Sequence, residues 1–420
     1  MELPINRNEP TTLWIDMNSC FASVEQQANH LLRGKPVAVA AYTTPSGCVV
    51  SPSIEAKRHG CKVGMTVREC KQLCRGLVVL PPDPRKYRYV HQEFNRIFKD
   101  YSPDVVPKSI DEACIEFANT PILKRMSMVE VAKEIKGRVK AEVGDWLTVS
   151  VGISTNRFLA KLAAGLHKPD GLDVLTHDNL MDTYSSLELT DLCGINTRYE
   201  ARLNAGGIFS PTDFYNASTD HLQKSVFKSI NGYYWYLRLR GWEIDSVSFD
   251  RRSYGQMYSL PKATADRKQV AKYLMKLTEK MGSRMRHGGY AAQGVHLSCI
   301  YNDYTHWHRG KKFSATLYTS QELYVKVLLL LNSQPEWKPV SKVAVSSFSL
   351  VPYNNDQATL FDDDYTKRRR LSDALDCVNT KYGDFTITPA LMFGMGNEII
   401  DRISFGSVKE MVEEAYDDAP

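Results

Sequence analysis

The sequence predicts an α/β (α+β) fold, and three observations carry that expectation. Short runs of strand-type residues alternate with helical patterns along residues 11–171. Strands mixed with helices, with one pair of strands adjacent in sequence order, imply a mixed core rather than an all-helical or all-β one. Strands return after residue 250, behind a mostly helical stretch from about 180 to 245.

The elements follow in order. TTLWID (11–16) reads as a strand, and SCFASVEQQANHLL after it as a helix. KPVAVAAY (35–42) is a strand and IEAKRHGC (54–61) a short helix. PPDPRKY (81–87) breaks the pattern, because proline removes backbone donors. A helix near 88–100, the strand in KSIDEACIEF (108–117), a helix at 127–143 and the strand LTVSVGIS (147–154) follow. That strand runs into the helix NRFLAKLAAGL, which ends before KPDG. From 250 to 352, strands surround one long helix at 266–286. YNNDQATLFDDDY reads as an exposed linker with a small apolar island, and 371–393 has helical and then extended character. There is no internal repeat or low-complexity tract.

At 420 residues the chain is long enough for two to four domains. Its 43% hydrophobic and 24% charged content is that of a soluble globular protein. The apolar run VLLLL (327–331) is too short to span a membrane, and MELPINRNEP lacks the apolar core of a signal peptide. Nine cysteines form no C-x-x-C pair, the closest spacing being Cys70 to Cys74. A cytoplasmic protein with reduced thiols is therefore expected, not a disulfide framework or a zinc site. Charge is uneven. Residues 353–420 hold 14 Asp/Glu against 7 Lys/Arg, whereas residues 250–352 hold 16 Lys/Arg against 6 Asp/Glu. A basic body with an acidic tail points to a polyanion partner. A solvated lysine surface is the alternative, and charge counts by themselves leave the two equal.

Asp16 ends the first strand, and Asp111 and Glu112 sit side by side in SIDEACIEF. Burying adjacent carboxylates costs hydration and sets like charges together. In a regular strand the two point to opposite faces, so they serve one centre only where a turn or bulge re-aims one of them. SIDEA as a hairpin tip beside Asp16 would gather three carboxylates. Such a set suits hard divalent cations, with Mg²⁺ the natural candidate. Two such ions would activate an attacking hydroxyl and stabilise a leaving pyrophosphate. A DE pair in isolation is more commonly a solvated turn.

The company of the pair changes that reading. DMNSCFASVEQ (16–26), SIDEA (109–113) and LTVSVGISTNRFLAKLAAGLHKPDG (147–171) resemble, in this order, three motifs of the Y-family translesion DNA polymerases in their bacterial polymerase IV and V forms. The resemblance covers about residues 12–352. It implies a right-hand polymerase. The palm, with a ferredoxin-like sheet, falls at 1–33 and 85–180, and small fingers at 34–84. A helical helix-hairpin-helix thumb falls at 181–245, a little finger at 246–352, and an acidic tail at 353–420. The implied activity is template-directed, low-fidelity DNA synthesis for translesion, moving a dNMP to a primer 3′-hydroxyl with release of pyrophosphate. With every stretch so assigned, none is left for a proofreading exonuclease.

Carried over residue by residue, the resemblance makes Asp16, Asp111 and the backbone carbonyl of Met17 metal ligands. Glu112 holds the metal near the primer terminus. Phe21 matches the steric gate against a 2′-hydroxyl, although an aromatic at a helix start is also a common core residue. The amides of Cys20 and Phe21 open a helix and can meet a triphosphate. Ser51, Lys57 and Lys168 match phosphate contacts. There are departures. Asn18 stands where many members have a second Asp, Cys20 replaces a common aromatic and Ile54 a common tyrosine. Lys57 replaces a common arginine, and a lysine cannot clamp phosphate in a bidentate fork.

TDLCGINTRYEARLNAGG (190–207) resembles the thumb hairpin, with Gly194 and Asn196 at its phosphate-binding tip. Asn196 replaces a usual glycine and is expected to accept the left-handed backbone. RRSYGQM (251–257), with Arg251 and Arg252, resembles the first little-finger strand, so the basic segment implies contacts to DNA phosphates. Gln357, Leu360 and Phe361 match a Q-x-x-L-F sliding-clamp peptide, with Ala358 where a larger apolar residue is common. The partners implied are primer-template DNA, dNTP and the bacterial clamp, with no membrane. Whether a polymerase V-type accessory subunit is needed stays open. Two alternatives compete. The intact carboxylates count against a non-catalytic polymerase-like adaptor. The thumb hairpin and basic segment count against a cyclase on a related palm.

Overall fold

Leu13 and Ile15 alternate with Trp14 and Asp16 along the first strand, β1 (Thr12–Met17), so its two faces bury different neighbours. The computed structural model describes residues 3–246, 251–353, 363–396 and 398–399. These form two compact units, one within residues 1–247 and the other within 248–401.

In the first unit β1 is the centre of a five-stranded sheet of order β5-β6-β1-β7-β8. Its partners are β5 (Val105–Pro107), β6 (Glu112–Glu116), β7 (Val149–Ser154) and β8 (Leu172–Val174). β1 is antiparallel to both β6 and β7. Leu13, Ile15, Ile115, Val151 and Ile153 share one core with Tyr87, Phe94 and Ile97 of α4 (Pro84–Lys99) and Val131 and Ile135 of α5 (Met128–Arg138). Each such side chain, fully buried, contributes about 1.5–3 kcal/mol. On the other face Trp14 and Cys114 pack on Ala160 and Ala164 of α6 (Arg157–Leu166). Gly152 makes that approach feasible. A Cβ there would lie 2.0 Å from the Ala160 carbonyl oxygen and 2.2 Å from the Ala164 nitrogen.

The helix α1 (Cys20–Ala28) leads from β1 to a three-stranded sheet, β3-β2-β4, made of β2 (Val37–Ala40), β3 (Val49–Pro52) and β4 (Val78–Leu80). The short helices α2 (Ile54–Arg58) and α3 (Val67–Leu73) close a small core around Ala38, Val49, Ala56 and Cys70. Four further helices belong to a region that buries Tyr184, Phe214, Trp235 and Leu239 together: α7 (Leu180–Ser185), α8 (Thr197–Ala205), α9 (Pro211–Asn216) and α10 (Asn231–Leu239).

The second unit is built on an antiparallel sheet of order β11-β10-β12-β9, from β9 (Ser253–Thr264), β10 (Tyr290–Tyr301), β11 (His306–Leu317) and β12 (Val340–Pro352). Val295, Leu297, Val343 and Val345 pack on Leu274, Leu277 and Met281 of α11 (Arg267–His287). The sequence predicts one helix among these strands, and there is a second, α12 (Ser320–Asn332). It contains the VLLLL run. Leu323, Val327, Leu330 and Leu331 fall on one face at helical spacing, and a Thr319–Glu322 capping box starts the helix.

The segment expected as a tail from residue 353 contributes to this unit over its described part. A helix, α13 (Asp363–Tyr382), is tied to α11, where Asp376 receives two hydrogen bonds from Arg286, at 2.6 and 2.9 Å. Met392, Met395 and Ile399 join the core, and the Lys276 ammonium donates to the Met395 and Glu398 carbonyls. Long-range packing of this kind has no local sequence signature. No described helix is long and apolar enough to cross a membrane.

Candidate active site

The turn between β5 and β6 is what re-aims the paired carboxylates. Lys108 and Ser109 both donate backbone N–H to the Glu112 carbonyl, so residues 108–111 form the hairpin tip and Glu112 begins the strand. Glu112 pairs across the sheet with Asp16, and the Met17 N–H donates to the Asp111 carbonyl at 2.9 Å. His91 braces the tip. Burial holds its ring pKa low, so the ring is neutral and its Nδ1–H donates to the Ile110 carbonyl at 3.0 Å. Nothing in the sequence marks this support, because a lone histidine on a helix carries no motif.

A cleft of about 550 Å³ opens at this end of the sheet. Asp16, Met17, Cys20, Phe21, Ser51, Lys57, Asp111 and Lys168 all line it. Arg58 lines it too, a cation that sequence reasoning passes over for its neighbour Lys57. Glu112 sits beside Asp16, outside the lining. Gly194 and Asn196 lie just before α8 and do not line the cleft. Arg251 and Arg252 belong to the second unit, where the Arg251 guanidinium sits 4.5 Å over the Tyr254 ring. Gln357, Leu360 and Phe361 lie outside the described residues.

The electrostatics of the cleft are polarised. Burial raises the pKa of Asp111, and the nearby Asp16 charge adds to this against a 2.5 Å hydrogen bond from Ser109. Burial, opposed by Lys161 and reinforced by Asp16, pushes Glu112 up to about 7. Lys161 donates to both Glu112 oxygens at 2.8 Å and lies over the Trp14 ring. It stands in the NRFLAKLAAGL helix, but no local feature singles it out from the other lysines. The Lys168 ammonium reaches Asp16 Oδ1 at 2.5 Å. Lys57 is open to solvent, yet the cleft walls and Lys168 hold its pKa below the usual lysine value. Burial and the two aspartates keep the Cys20 thiol protonated.

Phe21 is both a core residue and a cleft wall. It is 2% exposed and stacks on Tyr87 at 4.1 Å between ring centres, 8° from parallel. Tyr87 is in turn held by its hydroxyl on buried Glu25, which also pairs with Lys86 at 2.8 Å. Asn18 ties the site together. Its side chain bonds Ser150, Thr148 and the Asp170 N–H, anchoring the turn that carries Lys168. Ser51 Oγ accepts from the Ala22 N–H at 3.4 Å, in the first turn of α1. Asn196 corrects an expectation. Its backbone is extended (φ −102°, ψ 175°), and its side chain caps α8 by accepting from Arg198 and Tyr199. The left-handed position at this turn is Gly194, at φ +96°. Capping an exposed helix end rewards Asn where it has extended backbone.

Carboxylates beside a cleft with lysines in its wall are the equipment of a phosphoryl-transfer enzyme, with oxygen donors for divalent cations and ammonium groups for phosphates. The comparisons narrow the class. The impB/mucB/samB family model matches residues 15–165, and its C-terminal-domain model matches residues 251–360. A protein called DNA polymerase IV from Pelotomaculum thermopropionicum is 34% identical over 90% of this chain and 94% of its own. Another from Moorella thermoacetica is 34% identical over 90% and 95%. A solved Y-family DNA polymerase chimera of Dbh and Dpo4 shares the fold, with a TM-score of 0.71 and 24% identity, over 81% of this chain and 99% of the other. The chain belongs to the impB/mucB/samB family and is a Y-family DNA polymerase. Its chemistry accordingly depends on a divalent metal.

The residues present fit such an ion in kind. Asp16, Asp111, Glu112 and the Met17 carbonyl offer only hard oxygen donors. Among the described residues no three ligating side chains stand together as a ready cluster. Asp16 is engaged by Lys168 and Glu112 by Lys161.

Proposed function

We propose that this chain carries out template-directed, low-fidelity translesion DNA synthesis at the cleft bounded by Asp16, Asp111 and Phe21. The observation that carries the reading is the meeting of Asp16 with the distant pair Asp111 and Glu112 at one sheet end, beside a cleft lined by Lys57, Arg58 and Lys168, in a chain of this family. Primer-template DNA and dNTP are the substrates. The five-stranded sheet serves as palm, the three-stranded sheet as fingers, the helices of 181–245 as thumb and the basic second unit as little finger. The protein acts in the cytoplasm.

Asp16, Asp111, Glu112 and the Met17 carbonyl would hold Mg²⁺. When bound, such ions supply activation of the primer hydroxyl and charge neutralisation on the leaving pyrophosphate. Lys57, Arg58 and Lys168 bind the triphosphate, with Ser51 and the first amides of α1 as uncharged donors. On binding, Lys168 exchanges its Asp16 partner for phosphate and Lys161 releases Glu112. Both lysines are more than a third exposed, so the exchange costs little. Phe21, fixed by its stack on Tyr87, walls off the space beneath the sugar. Primer extension with Mg²⁺ on undamaged and lesion-bearing templates tests the reading. Binding of primer-template without nucleotide addition would favour the adaptor instead.

Two outcomes are expected here. Phe21→Ala raises ribonucleotide use relative to deoxynucleotide use by about 10–100-fold, since forcing an extra atom into a packed site costs about 1–3 kcal/mol. The measured quantity is the ratio of the two insertion efficiencies, which general loss of stability does not move. An unchanged ratio assigns Phe21 to the core alone. Leu360→Ala with Phe361→Ala leaves insertion on a free primer intact and weakens direct binding to the sliding clamp about thirtyfold. A double variant still stimulated by loaded clamp removes 357–361 from clamp recognition.

A further inference from the structure

We propose that the edge strand β11 and the outer side of α12 form a docking groove for an acidic segment of a partner protein that carries aliphatic anchors and adds to the sheet as a fifth strand. β11 ends the sheet order and pairs only with β10 among the described residues. An edge strand presents a row of unpaired N–H and C=O groups, which is a template for one more strand. This one is 12 residues long and exposed over most of its length.

Register decides what an added strand meets. Arg309 stands opposite Leu297 and Lys311 opposite Val295. Leu297 and Val295 are buried in the core that α11 and α12 share, so Arg309 and Lys311 lie on the helix-covered side of the sheet. Both are nevertheless exposed, because α12 stops short of covering β11. The gap is a groove of about 610 Å³, lined by Arg309, Lys311, Val325, Leu328 and Leu329. The Lys326 ammonium sits 4.9 Å over the Phe313 ring, so helix and strand run side by side along it. The helix supplies apolar surface here as well as to the core. Leu323, Val327, Leu330 and Leu331 are buried, while Val325 and Leu329, one turn apart, are 52% and 46% exposed. A helix that is apolar on two sides ordinarily has a neighbour on each.

Charge selects the occupant. β11 holds Arg309, Lys311 and Lys312 and no carboxylate, and neither Arg309 nor Lys311 is salt-bridged among the described residues. Edge-to-edge pairing with a second copy would bring two cationic strands together, and like charges across a strand pair are destabilising. Nucleic acid would answer the two cations but not the groove's other wall. Its phosphates have nothing to place on Val325, Leu328 and Leu329, and no aromatic ring lines the groove for a base to stack on. An acidic polypeptide strand satisfies all three features. Its backbone completes the edge, its carboxylates lie beside Arg309 and Lys311, and its aliphatic side chains cover the flank of α12. In strand addition the main-chain bonds supply affinity and the side-chain sites supply specificity.

A random dodecapeptide library displayed on phage and selected on the full-length protein tests the proposal. Peptides held by the parent and lost by Val325→Ser with Leu329→Ser are synthesised and titrated. They are expected to be net acidic, with aliphatic residues among the acidic ones. Arg309→Glu with Lys311→Glu is expected to lower their affinity about tenfold or more, and rising salt to weaken binding to the parent. All four side chains are exposed, so both double variants keep the fold, which circular dichroism verifies. Three results overturn it: no peptide lost by the serine variant, selected peptides that are neutral or basic, or parental affinity in the glutamate variant. Should the glutamate variant instead leave peptide affinity unchanged and lower the log–log salt slope of primer-template binding by about one per cation, Arg309 and Lys311 belong to a DNA surface and the groove takes no peptide.

Discussion

Asp111→Ala and Glu112→Ala are each expected to slow primer extension by roughly a thousandfold or more, with folding and DNA binding largely kept. Removing charge that stabilises a phosphoryl-transfer transition state costs several kcal/mol, and each 1.36 kcal/mol is tenfold in rate. The structure explains why the loss should be chemical rather than structural. Asp111 sits on a hairpin tip, where its carboxylate takes one hydrogen bond from Ser109 while its backbone carbonyl holds the sheet. Alanine keeps the carbonyl. Glu112 loses its pair with Lys161, but that lysine is 36% exposed and returns to water. Ion pairs of this exposure contribute about 0–1 kcal/mol. Single-turnover extension, read beside circular dichroism and primer-template affinity, separates the two causes. Near-normal extension in either variant excludes that residue from the metal site.

Arg286→Ala is expected to destabilise the second unit by about 3–5 kcal/mol, the usual cost of removing one partner from a buried ion pair. Arg286 is 4% exposed at its side chain and Asp376 14%. The guanidinium meets the carboxylate through two hydrogen bonds and also donates to the Tyr318 carbonyl and the Ser320 hydroxyl. Asp376→Ala should cost a similar amount, since it strands a buried cation. Arg286→Met combined with Asp376→Leu should recover much of the loss, because apolar replacement of both partners removes the desolvation penalty. Urea unfolding of the full chain measures all three. A change below about 1 kcal/mol in both single variants would mean that α13 does not stabilise the unit through this pair.

Much of the sheet end that borders the cleft is legible in the amino-acid sequence. Strand and helix periods place β1, α1, β6, β7 and α6 to within a few residues, because alternation and helical spacing are local properties. The paired carboxylates stand out because the pattern around them argues for burial, and burial of adjacent charges requires a reason. The helix α12 escapes such reading for the complementary cause. A continuous apolar run looks alike in a strand and a buried helix, and only its partners decide between them.

Local properties are thus what the chain spells out residue by residue: element types along the five-stranded sheet, the candidate ligands and the charge contrast between segments. The remainder comes from long-range packing. It sets Asp16 opposite Glu112, brings Lys161 onto Glu112 from 49 residues away and stacks Phe21 on Tyr87. It also turns part of an apparent acidic tail into a packed helix through Arg286 and Asp376, 90 residues apart. Periodicity reports which face of an element is apolar. It is silent on which distant element covers that face, and buried charges show their meaning only when the partner that neutralises them is known.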